Sequence, residues 1–194
     1  MKTSAMITMA AMLAGGAWAA SKSDSQRLVV CLEDGKHAGV ADAAAKATSL
    51  FLSAGVKLEW HSEASFCKGQ RDAMAVSFLA STPKGFHPAA LAYALPYEGV
   101  HIQVFYDRIA QADPRLVPSL MANVIVHEIT HILQGIDRHS ASGIMKAVWN
   151  SSDYTRMNNG QLRFTAVDIE MIHDGFAART ARRAASAVVA AVAP

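Results

Sequence analysis

The sequence has only two cysteines, Cys31 and Cys67, in 194 residues. This scarcity excludes a disulfide-dense miniprotein and any zinc or iron–sulfur site that takes four cysteines from this chain alone. A large excess of charge of either sign is also lacking, because 18 lysines and arginines nearly balance 16 aspartates and glutamates. Without a strong basic field, we expect no nucleic-acid partner. A hydrophobic share of 52% fits a compact globular protein rather than a disordered one.

An uncharged, largely apolar run follows Lys2 and ends at Ala17-Trp18-Ala19. This pattern predicts a secretory signal peptide over residues 1–19; a membrane anchor is the alternative, although the segment is short for one. No later stretch reaches the roughly 18 apolar residues of a spanning helix, so we expect no membrane segment after cleavage. The product would be secreted or periplasmic. In that oxidising setting Cys31 and Cys67 can form a disulfide, with two buried free thiols as the alternative.

The remaining chain fits one domain over residues 20–178 and a flexible or helical tail over 179–194. Hydrophobic periodicity predicts a strand, a helix, four strands and a long buried helix, an α/β composition. The predicted strands are Arg27–Glu33, Val56–Trp60, Ala73–Ala80, Leu91–Leu95 and His101–Tyr106, and the helices are Asp42–Ala54 and Leu120–Gln134. A mostly irregular stretch is expected over Ile136–Arg163. Thr165 and Asp168 then form a plausible capping box that opens a last helix.

An H-E-x-x-H sequence, His127-Glu128-Ile129-Thr130-His131, lies in the predicted long helix. Residues four apart are one helical turn from each other, so both imidazoles can converge on one metal ion. Glu128 lies about 100° round the helix from His127, beside the ion rather than on it. There it can act as a general base towards a water molecule. Two structural histidines on a buried helix are the alternative.

A catalytic zinc site normally has three protein ligands and one position for water, so a third ligand must come from elsewhere. His139 could not reach the ion if the helix simply continued. Gly135 makes His139 a credible ligand, because a chain reversal there would bring the following residues back across the ion.

The sequence from His127 to Ser140, with Gly143-Ile144-Met145 after it, resembles the metzincin zinc peptidases, in detail the matrix-metalloproteinase type. Those enzymes have H-E-x-x-H-x-x-G-x-x-H and a methionine turn beneath the metal. The predicted element order over residues 27–149 is similar too. The lengthened spacing to His139 resembles a group of small secreted bacterial proteins thought to be zinc proteases. The resemblance implies a zincin fold: a mixed twisted sheet, an active-site helix and a small, mostly helical carboxy-terminal part.

The chain departs from the metzincin pattern at two positions. The family's glycine falls on Gln134, and its third ligand falls on Asp137, which is chemically capable of binding zinc. The motif can therefore have the standard spacing with Asp137 or a two-residue insertion with His139. We favour His139, because Gly135 moves the turn later and a serine follows the histidine.

The resemblance implies further roles. Met145 would form a soft apolar floor under one catalytic zinc ion without binding it. Leu91–Leu95 lies where metzincins keep the edge strand that binds peptide or protein substrate. Tyr154 corresponds to a tyrosine that supports the oxyanion in some relatives, although an ordinary loop tyrosine is the favoured interpretation. A competing interpretation, separate from the metzincin resemblance, is a thermolysin-like arrangement in which Glu170 would be the third ligand and Asp174 its companion. We favour it less, because a helix-capping context explains both charges without a metal.

The sequence thus predicts a secreted zinc-dependent endopeptidase. His127, His131 and His139 would hold the ion, and Glu128 would carry the proton from water to the leaving amine. Imidazoles bind several divalent metals, and zinc is favoured by the geometry and the resemblance. Two alternatives stay open: a non-catalytic secreted module that keeps a zincin scaffold for binding, and a zinc amidase that acts on cell-wall peptides.

Overall fold

The computed structural model describes residues 26–192, apart from 63–65, 68–69, 71–72 and 95–99. The strands are β1 (Gln26–Glu33), β2 (Val56–His61), β3 (Met74–Leu79), β4 (Ala92–Ala94) and β5 (His101–Phe105). The helices are α1 (Val40–Leu52), α2 (Tyr106–Ile109), α3 (Val117–Gln134), α4 (Ser151–Asn158) and α5 (Ala166–Val192). The predicted signal peptide lies outside the described residues. The predicted domain boundaries stay predictions.

The five strands form one mixed sheet in the order β2-β1-β3-β5-β4. The first four strands of that order pair in parallel, and β4 pairs antiparallel with β5 at one edge. Central strands of a parallel sheet are buried on both faces, and adjacent residues of β1 such as Val30 and Cys31 are indeed fully buried. The predicted mixed sheet is confirmed, with the short strand β4 at the edge where the prediction placed Leu91–Leu95; Leu95 is outside the described residues.

Helix α3 lies at the centre of the packing and contacts α1, β4, β5, α4 and α5. It is apolar on nearly all sides, which is the pattern of a helix surrounded by protein. Pro118 lies in its first turn, where a missing N–H costs nothing, and Gly135 caps its carboxy end in the left-handed conformation. Gly175 lets α5 cross this end closely, since a Cβ there would overlap the carbonyl oxygen of Leu133. Helix α3, which carries the H-E-x-x-H sequence, is therefore held by elements that pack on several of its sides.

The expectation of a mostly irregular stretch over Ile136–Arg163 is confirmed, but the stretch also contains helix α4, which the sequence analysis did not predict. The sequence of α4 is polar and lacks a continuous apolar stripe, so its periodicity gave no signal. A capping box stabilises it instead: the Asn150 side chain accepts the N–H of Asp153, whose carboxylate accepts the N–H of Asn150. Met157 is buried and ties α4 to the core.

Cys31 and Cys67 form a disulfide, with their Cα atoms 6.2 Å apart. The bond joins the interior strand β1 to the segment that follows β2. A disulfide is compatible with an oxidising, extracytoplasmic compartment. Among the described helices, none combines the length and the hydropathy needed to cross a bilayer.

Candidate metal centre

Two of the candidate ligands, His127 and His131, lie one turn apart on α3 and are both buried. The helix is capped by Gly135, which has a φ of 67°. The N–H of Gly135 donates a hydrogen bond to the carbonyl of His131 at 2.9 Å. The chain reverses there, so that the ring centroid of His139 lies 5.0 Å from that of His131 and 5.3 Å from that of His127. The reversal at Gly135 thus brings together three histidines that one continuous helix would separate.

The three histidines form the one cluster of potential metal ligands within the described part of the chain. One nitrogen from each ring lies within 4.8 Å of the other two. The Nε2 atoms of His127 and His131 are closest, at 3.0 Å. His139 is exposed, so the cluster has two buried rings and one ring towards solvent.

The hydrogen bonds of the buried pair fix its tautomers. The Nδ1 atom of His127 lies 2.9 Å from the carbonyl oxygen of Ile144. The Nδ1 atom of His131 lies 3.2 Å from the carbonyl oxygen of Ile136. Since a carbonyl only accepts, each Nδ1 carries the proton and each neutral ring presents an Nε2 lone pair. Burial lowers the pKa of His127 to about 4 and lowers the pKa of His131 as well, so both rings are neutral at pH 7.

Two lone pairs therefore face each other at 3.0 Å with no proton between them. That contact is repulsive unless a cation lies between the nitrogens. A tetrahedral zinc ion with Zn–N bonds of about 2.0–2.1 Å separates its ligands by about 3.3 Å, close to the observed spacing. Carbonyl partners on Nδ1 are also the usual way in which a protein orients zinc-binding histidines. The residues present fit a metal ion such as zinc.

The carboxyl group of Glu128 is largely buried beside this pair, and burial raises its pKa to about 7. A hydrogen bond from the backbone N–H of Ala94 in β4 opposes the rise, and the negative charge of Asp137 adds to it. Glu128 therefore lies at the junction of the metal-motif helix and the edge strand. A carboxyl group with a pKa near neutrality can both accept and release a proton at physiological pH.

A cavity of about 490 Å³ opens above these groups. Its floor contains the three histidines and Glu128. Its lining also contains the segment 89–94, which includes β4, and the segment 146–149 together with Tyr154. This volume lies within the usual range of roughly 300–1,000 Å³ for ligand sites. The arrangement is a cleft with a metal site at its base and an open strand edge along one side.

The other candidates from the sequence take different positions. Asp137 lines the cavity but lies outside the histidine cluster. Glu170 and Asp174 are exposed on α5 and do not join the cluster formed by the described residues. Met145 is fully buried and directly follows Ile144, whose carbonyl holds His127. Tyr154 lines the cleft.

Asp168 is a residue whose link to the site the sequence did not predict. It is fully buried and accepts hydrogen bonds from Arg138 at 3.1 Å and Ser140 at 2.6 Å, the two neighbours of His139. Its other oxygen completes the predicted capping box with Thr165. Although burial alone would raise its pKa, hydrogen bonds from Ser140, Thr165 and Arg138 hold the pKa below its usual range. The capping pattern was readable, but no local pattern indicates the partners nearly thirty residues upstream.

Replacing Asp168 with asparagine should weaken zinc binding by roughly 10–100-fold, the usual effect of losing a residue that orients a metal ligand. The new amide N–H₂ would face donors that now share a carboxylate, and the segment carrying His139 would loosen. A competition titration with a fluorescent zinc chelator measures the affinity. Asp153→Asn is the matched control, because Asp153 is also a buried capping-box aspartate paired with a cation, Lys146. Equal losses in both variants would contradict a specific role for Asp168.

No protein-family model matches the sequence, and no curated protein matches it either. Among solved structures, the crystal structure of archaemetzincin from Methanopyrus kandleri is similar, with a TM-score of 0.51 and 13% sequence identity. The alignment covers 80% of this chain and 98% of that chain. At this identity the likeness shows the fold alone. The chain therefore has a metzincin-like α/β fold, as the resemblance of its motif implied.

Proposed function

We propose that the protein is a secreted zinc-dependent endopeptidase. The observation that supports this most is the pair of buried imidazoles, His127 and His131, whose unprotonated Nε2 atoms face each other at 3.0 Å beside the carboxyl group of Glu128. The predicted signal peptide and the disulfide are compatible with secretion.

In this proposal His127, His131 and His139 hold the metal. Zinc bound there would polarise the scissile carbonyl and lower the pKa of a water molecule. Glu128 takes the proton of the attacking water and gives it to the leaving amine. The N–H of Ala94 orients its carboxyl group. Met145, which is fully buried and follows the Ile144 whose carbonyl holds His127, would form the apolar floor under the metal.

The substrate peptide would extend along β4. This strand pairs with β5 through one of its edges, and its residues line the cleft. An extended peptide can hydrogen bond to the other edge as an added strand. Ala94 also contacts the proposed general base through its backbone, so a peptide along β4 would lie close to Glu128.

The proposal is tested by incubating the zinc-loaded chain, residues 20–194, with a mixture of peptides that are acetylated at the amino end and amidated at the carboxy end. Mass spectrometry should detect cleavage at internal bonds. A chelator should stop the cleavage, and added zinc should restore it. Zinc binding without cleavage would favour the non-catalytic module. Cleavage restricted to cell-wall cross-bridge peptides would favour the amidase, and both results would contradict an endopeptidase of general peptides.

A further inference from the structure

Asp137 is an unpaired charge in the cleft. Its side chain is exposed and lines the cavity, two residues before His139. It forms no hydrogen bond or ion pair with the part of the chain that the structure describes. Its carboxylate therefore contributes nothing evident to the fold, and it is available to a ligand in the cleft.

Lys146 is the one lysine or arginine among the described residues that line this cavity, and it is already paired with a carboxylate. The Nζ atom of Lys146 lies 2.6 Å from a carboxylate oxygen of Asp153, which also caps α4. Lys146 is thus held against Asp153. Among the described residues, the unpaired charge that Asp137 adds to the cleft is negative, although the whole chain carries a formal net charge of +2.

The field of Asp137 reaches the groups at the base of the cleft. Asp137 lines the same cavity as Glu128, His127 and His131. Charges in a cleft with protein walls act over longer distances than charges on an open surface. A substrate side chain close to the reacting bond would therefore experience this carboxylate.

We propose that Asp137 determines specificity by favouring peptides with a lysine or arginine side chain close to the scissile bond. The inference rests on the proposed peptidase function and concerns the substrate class of that site. An exposed carboxylate that pairs with a substrate cation should favour it over an uncharged side chain by roughly 5-fold. A glutamate at the same position should be disfavoured, because like charges repel.

The test uses blocked peptides of one length in which lysine, glutamine or glutamate occupies a single position, moved stepwise across the cleaved bond. At the sensitive position we expect kcat/KM to fall in the order lysine, glutamine, glutamate, with a smaller spread at high salt. Asp137→Asn should bring the ratio of kcat/KM between the lysine and the glutamine peptide close to 1, and this ratio cancels any change at Glu128 that both peptides share. Asp137→Lys should reverse it. Asp174→Asn, an exposed aspartate on α5 outside the histidine cluster, is the matched control.

A binding measurement separates this inference from the proposed function. The Kd of the same peptides for the zinc-loaded Glu128→Gln protein reports charge preference without any turnover. The inference is overturned if the Kd values do not discriminate lysine from glutamate, or if Asp137→Asn leaves the preference intact. It is also overturned if Asp137→Asn loses zinc, because Asp137 would then be a metal ligand. Cleavage of neutral peptides without charge preference would contradict the inference and leave the peptidase function in place.

Discussion

Glu128→Gln is expected to abolish peptide hydrolysis while the zinc stays bound. Glutamine has nearly the same shape as glutamate, and its amide oxygen can still accept the N–H of Ala94. It cannot take a proton from water. Because Glu128 lies beside the three histidines rather than among them, the ligand set remains complete. The variant therefore separates proton transfer from metal binding.

The loss of general acid–base catalysis should lower kcat by about 10²–10⁴-fold. Zinc content and kcat are measured on the same preparation, so that a metal-free fraction does not pass for an inactive enzyme. Glu170→Gln serves as the control, since Glu170 is exposed on α5 and should keep both activity and zinc. Activity retained in Glu128→Gln would overturn the mechanism. Loss of zinc together with activity would show that Glu128 supports the metal site structurally.

The predictions that came true from the sequence rest on local patterns. Helix α3 was predicted from its apolar density, and its end from Gly135, which takes the left-handed conformation. The strands were predicted from their periodicity, and the edge position of β4 from the resemblance of the element order. Apart from the edge position of β4, these features depend on residues close to one another in the sequence, so local patterns contain the information that they need.

The features that were missed depend on long-range contacts. The polar helix α4 forms because Asn150 and Asp153 cap it and Met157 meets a surface built by other elements. The sequence predicts Asp168 only as a capping residue. Its second role arises because α5 lies beside the segment that carries His139, so that Arg138 and Ser140 donate hydrogen bonds to Asp168. The sequence favoured His139 over Asp137 and Glu170 because of Gly135, but it left the choice open, since no local pattern determines where the chain returns after Gly135.

His139→Ala is expected to reduce zinc binding far more than Asp137→Ala or Glu170→Ala. His139 supplies the third nitrogen of the cluster, and its loss leaves two ligands. The affinity should fall by more than the roughly 10–100-fold that follows from losing a residue that only orients a ligand. Zinc per chain is measured by mass spectrometry after dialysis against a buffered zinc concentration, and the Kd by chelator competition. Asp137→Ala and Glu170→Ala should remain at one zinc per chain.

Thermal unfolding supplies a second measurement, because a ligand that binds only the folded state stabilises it by RT ln(1 + [L]/Kd). At zinc 100-fold above the wild-type Kd, this amounts to about 2.7 kcal/mol, and His139→Ala should lose most of it. Without zinc, the variant should unfold like the wild type, since His139 is exposed and its removal leaves no cavity in the core. If Asp137→Ala loses the stabilisation instead, the motif has the standard metzincin spacing. The third ligand beside His127 and His131 is then the carboxylate of Asp137 and not the imidazole of His139.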